Sequence, residues 1–175
     1  MSGQSLPTLS RSLLDEVRRR GLANIDLPPA NILSAPETIL QIGSGAFLRG
    51  FVEDFLQLAY SSGDLAGRVV SVQRKADRRS EVLARQDGLY TLILRGIENG
   101  RRTEVRRIIA SISRCLSAEA EWDKVIAMAV RPSTRVIVSN VTETGYALGP
   151  SDTPIDKPPL SFPGKLTQGP AVKIG

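Results

Sequence analysis

Residues 38–52 read TILQIGSGAFLRGFV: a short apolar run, two glycines separated by one residue, then apolar positions at helical spacing. Thr38 to Ile42 has the length and composition of a buried strand. Gly43-Ser44-Gly45 breaks it, and Ala46 to Tyr60 follows as a helix with Phe47, Leu48, Phe51, Val52, Phe55, Leu56 and Ala59 expected on one inward face. Gly63 and Gly67 bracket the exit, and Arg68 to Gln73 (RVVSVQ) reads as a second strand. Strand, glycine turn, helix and strand make the minimal parallel βαβ unit.

Outward from that unit the pattern stays α/β. Leu9, Leu13, Leu14 and Val17 give a short amphipathic N-terminal helix that stops at Gly21, and Asp26 to Pro36 is a proline-containing connector. Arg78 to Arg85 forms another short helix. From Leu89 the period becomes two: Tyr90 to Leu94 is a strand, Asn99-Gly100 a turn, and Thr103 to Ile112 the returning strand of an antiparallel hairpin. Ser117 caps a helix over Ala118 to Val130, and Arg135 to Ser139 is a further core strand. The fold class expected is α/β, a Rossmann-like, mostly parallel sheet with an antiparallel hairpin inserted. Residues 1–37 form the helix and connector, 38–150 the dinucleotide-binding domain, and 151–175 a proline-rich tail without periodicity.

The physical core of a dinucleotide site is present in Gly43-x-Gly45. The first glycine permits a tight turn, and the second lets backbone approach a pyrophosphate at the helix N-terminus. Leu48 stands where a third glycine would give close helix–strand packing, so the pattern is incomplete. Arg49 is either a phosphate ligand or a surface residue. The second strand ends in Gln73-Arg74-Lys75 rather than in an acid, which on spacing alone leans to NADP or a relaxed preference, with Arg74 placed to stack on adenine or take a 2′-phosphate. Asn140, Thr142 and Glu143 are candidates for bonding the nicotinamide ribose or carboxamide. The alternative is a helix start capped by Thr142 with Glu143 in its first turn.

Composition excludes much else. The chain of 175 residues has no histidine and one cysteine, so imidazole bases, His-based triads, intramolecular disulfides and cysteine-rich metal sites are out; Cys115 reads as a small buried hydrophobe at a strand end. Hydrophobic content of 41% places it among globular domains. No apolar run reaches the ~20 residues of a spanning helix, and the N-terminus lacks a signal-peptide core, so a cytoplasmic location is expected. The net charge of +5 comes from arginine clusters interleaved with acids and few aromatics, which reads as solvated surface rather than a nucleic-acid footprint. Neither nucleic acid nor membrane is an expected partner. Tyr-x₃-Lys, GxxxxGK[ST] and GxSxG patterns are all missing.

The segment from Ile39 to Val52 resembles the GxGxFxR stretch of the mannitol dehydrogenase family of long-chain polyol and hexuronate oxidoreductases. Gln86-Asp87-Gly88-Leu89-Tyr90-Thr91, Arg95-Gly96, Ser139 to Gly145 (SNVTETG) and Pro159 to Thr167 (PLSFPGKLT) extend the resemblance in order, to about Gln168. The last two segments look most like the tagaturonate reductase (altronate oxidoreductase) branch, with fructuronate reductase next. The resemblance implies reversible, NAD-linked reduction of a keto sugar acid, and NADP as the lesser cofactor. It also implies nucleotide binding by Ile39, Leu40, Gln41, Ile42, Gly43, Ser44, Gly45, Ala46, Phe47, Leu48, Arg49 and Gly50. In the family a helical substrate domain with the catalytic lysine follows. Here Gln168 to Gly175 (QGPAVKIG) departs from the pattern, so no catalytic residue is assigned, and Lys165 is no substitute.

Overall fold

The computed structural model describes residues 8–21 and 24–140. The elements are α1 (Arg11–Arg20), β1 (Glu37–Ile42), a π-turn (Leu48–Val52) running into α2 (Glu53–Ser62), β2 (Arg68–Gln73), α3 (Arg78–Arg85), β3 (Tyr90–Glu98), β4 (Arg101–Ile109), β5 (Ile112–Ser117), α4 (Ala118–Ala129) and β6 (Val136–Ser139). A four-stranded sheet has the order β5-β2-β1-β6, with β1–β2 and β2–β5 parallel. β3 and β4 form a separate antiparallel pair. This is the α/β architecture the pattern predicts, and the hairpin turns at Asn99 and Gly100, both at positive φ, as an Asn-Gly turn requires.

The returning strand is shorter than its sequence suggests. Thr103 to Ile112 reads as one run, yet β4 ends at Ile109 and the chain crosses into β5, parallel to β2. No glycine or proline marks the crossing. Buried polar side chains from elsewhere hold it instead. Gln57 of α2 donates to the Ile108 carbonyl at 2.9 Å and accepts from the Ala110 N–H at 2.7 Å. Arg68 of β2 donates to the carbonyls of Ala110 and Ile112, and Ser111 donates to Glu53. The backbone groups that leave one sheet before joining the other are thereby satisfied.

The same contacts invert the expected face of α2. Glu53, Asp54 and Gln57 are buried, while Phe47, Phe51 and Phe55 are each more than half exposed. The correction has a local cause. The π-turn inserts an extra residue into the helix and rotates everything after it by about 100° relative to a regular 3.6-residue repeat. The three phenyl rings stack in an exposed row, with centroids 5.3 and 6.4 Å apart.

The sheet therefore has unlike faces. Side chains alternate along a strand, so Leu40, Val70, Val72 and Leu116 pack with Val125 and Met128 of α4 in an apolar core. On the other face Gln41, Ser71 and Glu53 form a polar layer. A second core gathers Leu14 of α1 and Ile32 of the connector around Leu89, Ile108 and Ala110. Ser117 caps α4 as expected, accepting from the Ala120 N–H. Cys115 lies within β5, half-buried rather than at a strand end.

Gln57→Leu strips the Ile108 carbonyl and the Ala110 N–H of partners at the crossing. Urea unfolding should show a loss of about 2–4 kcal/mol, the cost of two unsatisfied buried groups, whereas Leu58→Ser on the exposed side should fall within about 0.5 kcal/mol of the parent.

Candidate functional site

The strand order reverses at β1: the chain proceeds to β2 and β5 on one side and returns to β6 on the other. Ligands of open α/β sheets gather at such a switch point, beyond the carboxyl ends of the strands. Gly43-Ser44-Gly45 lies there, between β1 and the helix.

The turn is shaped from below by the polar layer. Gln41 and Ser71 both donate to the Gly43 carbonyl, at 3.1 and 3.2 Å, while the Gly43 N–H donates to Val72 at 2.7 Å. Gly43 has φ +102°, where only glycine is at ease. Leu48, buried in the third-glycine position, packs beneath it: a Cβ on Gly43 would stand 3.4 Å from its Cδ1. Gly45 differs. Its φ is ordinary, and a Cβ there would meet nothing within 4 Å. No contact inside the protein calls for glycine at this position.

The helix opens with the Arg49 N–H on the Gly45 carbonyl, so the N–H groups before it have no partner within the helix. Arg49 folds back to donate to the Ser44 carbonyl, and its own carbonyl accepts from the Tyr90 hydroxyl at 2.7 Å. A cavity of about 490 Å³ lies beside this turn, lined by Arg49, Asp77, Arg78, Arg79, Val82, Leu83, Gln86 and Tyr90. Desolvation, then the Arg79 charge, lowers the Arg49 pKa from its ordinary value.

Four residues beyond Arg49, Glu53 is fully buried with its Oε2 accepting from Ser111 at 2.7 Å and its Oε1 unpartnered. Burial pushes its carboxyl up to about 7. Gln73, at the end of β2, likewise keeps a buried Nε2 without a protein partner. Cys115 is pushed up to about 11 by burial, which keeps the thiol protonated and unreactive. Among the described residues no group of acids, cysteines or histidines is arranged to hold a metal.

The expected site residues fall into three sets. Ile39, Leu40, Gln41 and Ile42 build β1, the first three buried, so they position the turn rather than meet solvent. Ser44 is buried, while Gly45, Ala46 and Phe47 are exposed at the turn, Leu48 is buried beneath it, and Arg49 and Gly50 are half-buried. Arg74 is exposed after β2 and does not line the cavity; its carbonyl accepts from the Glu119 N–H at 3.0 Å. Asn140 directly follows β6 and is exposed, and Thr142 and Glu143 lie outside the described residues. Sequence reasoning did not single out Arg78, Arg79 or Tyr90, which approach the turn only through the packing of α3 and β3.

Residues 37–170 match the family described as "Mannitol dehydrogenase Rossmann domain". The chain is 40% identical over 132 residues to the altronate oxidoreductase of Halalkalibacterium halodurans, covering 75% of this chain and 26% of that protein. Against the altronate oxidoreductase of Bacillus subtilis the identity is 39% over 132 residues, covering 75% and 28%. Among solved structures, the ternary complex of Pseudomonas fluorescens mannitol 2-dehydrogenase with NAD and D-mannitol superposes with a TM-score of 0.68 at 26% identity. It covers 82% of this chain and 28% of that one. Substrate-free D-sorbitol dehydrogenase shares the fold, with a TM-score of 0.65 at 24% identity, covering 82% of this chain and 29% of that one. The chain thus spans about a quarter of the length of the relatives it matches.

The Glu53 carboxyl binds its proton more tightly folded than unfolded. Its stabilising contribution is complete below about pH 4.5 and lost as pH rises through about 7. Glu53→Gln removes that titration. The stability of the parent relative to Glu53→Gln should fall by up to about 3 kcal/mol across this window, at ~1.4 kcal/mol per pKa unit, and stay level above it, as read by urea unfolding at stepped pH.

Proposed function

Because this chain belongs to the mannitol dehydrogenase family, as its Rossmann domain, we propose that it is the cofactor-holding part of an oxidoreductase that interconverts a keto sugar acid and its hydroxy acid. The observation that carries the reading is Gly45. A glycine with ordinary φ and empty space around its missing Cβ, next to unpaired helix N–H groups, is what close approach of a pyrophosphate requires. The described residues fit the group: Gly43 makes the turn, Gly45 leaves the surface open, and the backbone N–H groups of Ala46, Phe47 and Leu48 are free to donate.

Kinship favours NAD as the cofactor, with NADP the lesser choice, and tagaturonate and altronate as the substrate pair; fructuronate/mannonate or mannitol-type substrates are the alternative. When bound, the dinucleotide supplies the hydride chemistry. This chain's own residues bind and orient it: Arg49 is held against the turn by Ser44 and Tyr90, and Gln41 and Ser71 fix the Gly43 carbonyl from below. In this reading Asn140, Thr142 and Glu143 serve the nicotinamide end, and Arg74 the adenosine end. No residue of the chain is assigned to proton transfer, so turnover belongs with the remaining three quarters of the relatives' length, which also supplies the sugar-acid site. A cytoplasmic setting suits such an enzyme, and none of the described helices is long and apolar enough to cross a membrane.

Gly45→Val tests the reading. The new side chain enters open space, so circular dichroism and the unfolding midpoint should be unchanged, while NADH binding followed by fluorescence titration should weaken by at least ~100-fold, the consequence of blocking phosphate contacts. A Gly45→Val chain that binds NADH as the parent does would remove the turn from the site.

A further inference from the structure

The cavity beside the glycine turn contains more positive charge than a pyrophosphate at the helix N-terminus accounts for. Arg49, Arg78 and Arg79 line one space over Val82, Leu83 and Tyr90. Among the described residues none of these three guanidinium groups has a carboxylate within ion-pair distance. Like charges facing a shared space repel, and an anion placed among them relieves the repulsion. Arg78 and Arg79 also occupy the first turn of α3, where the helix dipole disfavours cations, so the stability of α3 does not explain them.

The cavity's one carboxylate is otherwise engaged. Asp77 caps α3: its Oδ1 accepts from the Ser80 N–H at 2.8 Å, and its own N–H donates to the Ser80 hydroxyl at 3.0 Å. A site that selects an unphosphorylated adenosine ribose presents a carboxylate to the 2′-hydroxyl just after the second strand. Here β2 is followed by Arg74, Lys75 and Ala76, and then by an aspartate used as a cap. The cavity runs from Arg49 at the glycine turn to the segment following β2, which in this fold class serves the two phosphates and the adenosine ribose respectively.

We propose that this cavity takes the 2′-phosphate of a phosphorylated nicotinamide dinucleotide, with Arg78 and Arg79 as the specificity-determining side chains. The inference rests on the glycine turn being the pyrophosphate site, and it widens the NAD preference that kinship implies: the chain binds NADPH no more weakly than NADH. Both arginines are exposed, so their replacement leaves the core untouched.

The test is fluorescence titration of the chain with NADH and with NADPH, repeated on Arg78→Gln/Arg79→Gln and on Arg85→Gln as a control. The expected result is an NADPH dissociation constant equal to or below that of NADH in the parent. In the double variant NADPH should weaken by ~10-fold or more and NADH by less than ~3-fold, as expected when charge-assisted bonds to one phosphate are lost. Arg85→Gln should change neither. A parent that favours NADH by ~10-fold, or a double variant that weakens both nucleotides equally, overturns the inference and leaves the glycine-turn reading standing. A parent that binds neither nucleotide overturns both.

Discussion

Everything that positions the glycine turn depends on one buried polar junction, where the chain passes from Ile109 in the hairpin to Ile112 in the parallel sheet. Arg68, Gln57 and the Glu53–Ser111 pair meet there, from a strand and a helix distant in sequence. Without them, Ala110 and its neighbours would be buried with unpaired backbone groups, and β5 could not lie beside β2. Burial lowers the Arg68 pKa to about 10, and the guanidinium stays charged at neutral pH because carbonyls from both sides of the crossing surround it. The hydrophobic effect supplies most of the driving force through the α4 face of the sheet. The polar face supplies the specificity of the path.

That polar face reaches the ligand edge. Gln41 and Ser71 continue the layer from the junction to the Gly43 carbonyl, so the turn rests on hydrogen bonds rather than on packing alone. The glycines then divide by role. Gly88 lies so close to Ile112 that a Cβ would stand 2.2 Å from its carbonyl oxygen, and Gly43 needs its positive φ; both serve the fold. Gly45 serves neither need, which ties it to what approaches from outside.

How far this could be read from sequence follows from which signals are local. The βαβ unit, the Asn-Gly hairpin and the Ser117 cap are each written in a few adjacent residues, and the structure has all three. The crossing at Ala110-Ser111 has no local mark, because its partners are Gln57 and Arg68. The face of α2 was misread for a related reason: helical periodicity assumes 3.6 residues per turn, and the π-turn at Leu48–Val52 breaks that phase just where Phe51 and Phe55 would otherwise turn inward. At the site, Gly43 and Gly45 were legible as a motif. Arg78 and Arg79 looked like solvated surface, since only the packing of α3 brings them beside Arg49.

The central claim, that the chain holds a dinucleotide at Gly43 to Arg49 without further domains, is tested most directly by backbone amide NMR of the isotopically labelled chain during NADH titration. The account predicts saturable shifts concentrated at the amides of Gly43 to Arg49 and in the residues following β2, with the α4 core unmoved. Saturable shifts confined to other surfaces, or none at millimolar NADH (about 4 kcal/mol of binding), would contradict it.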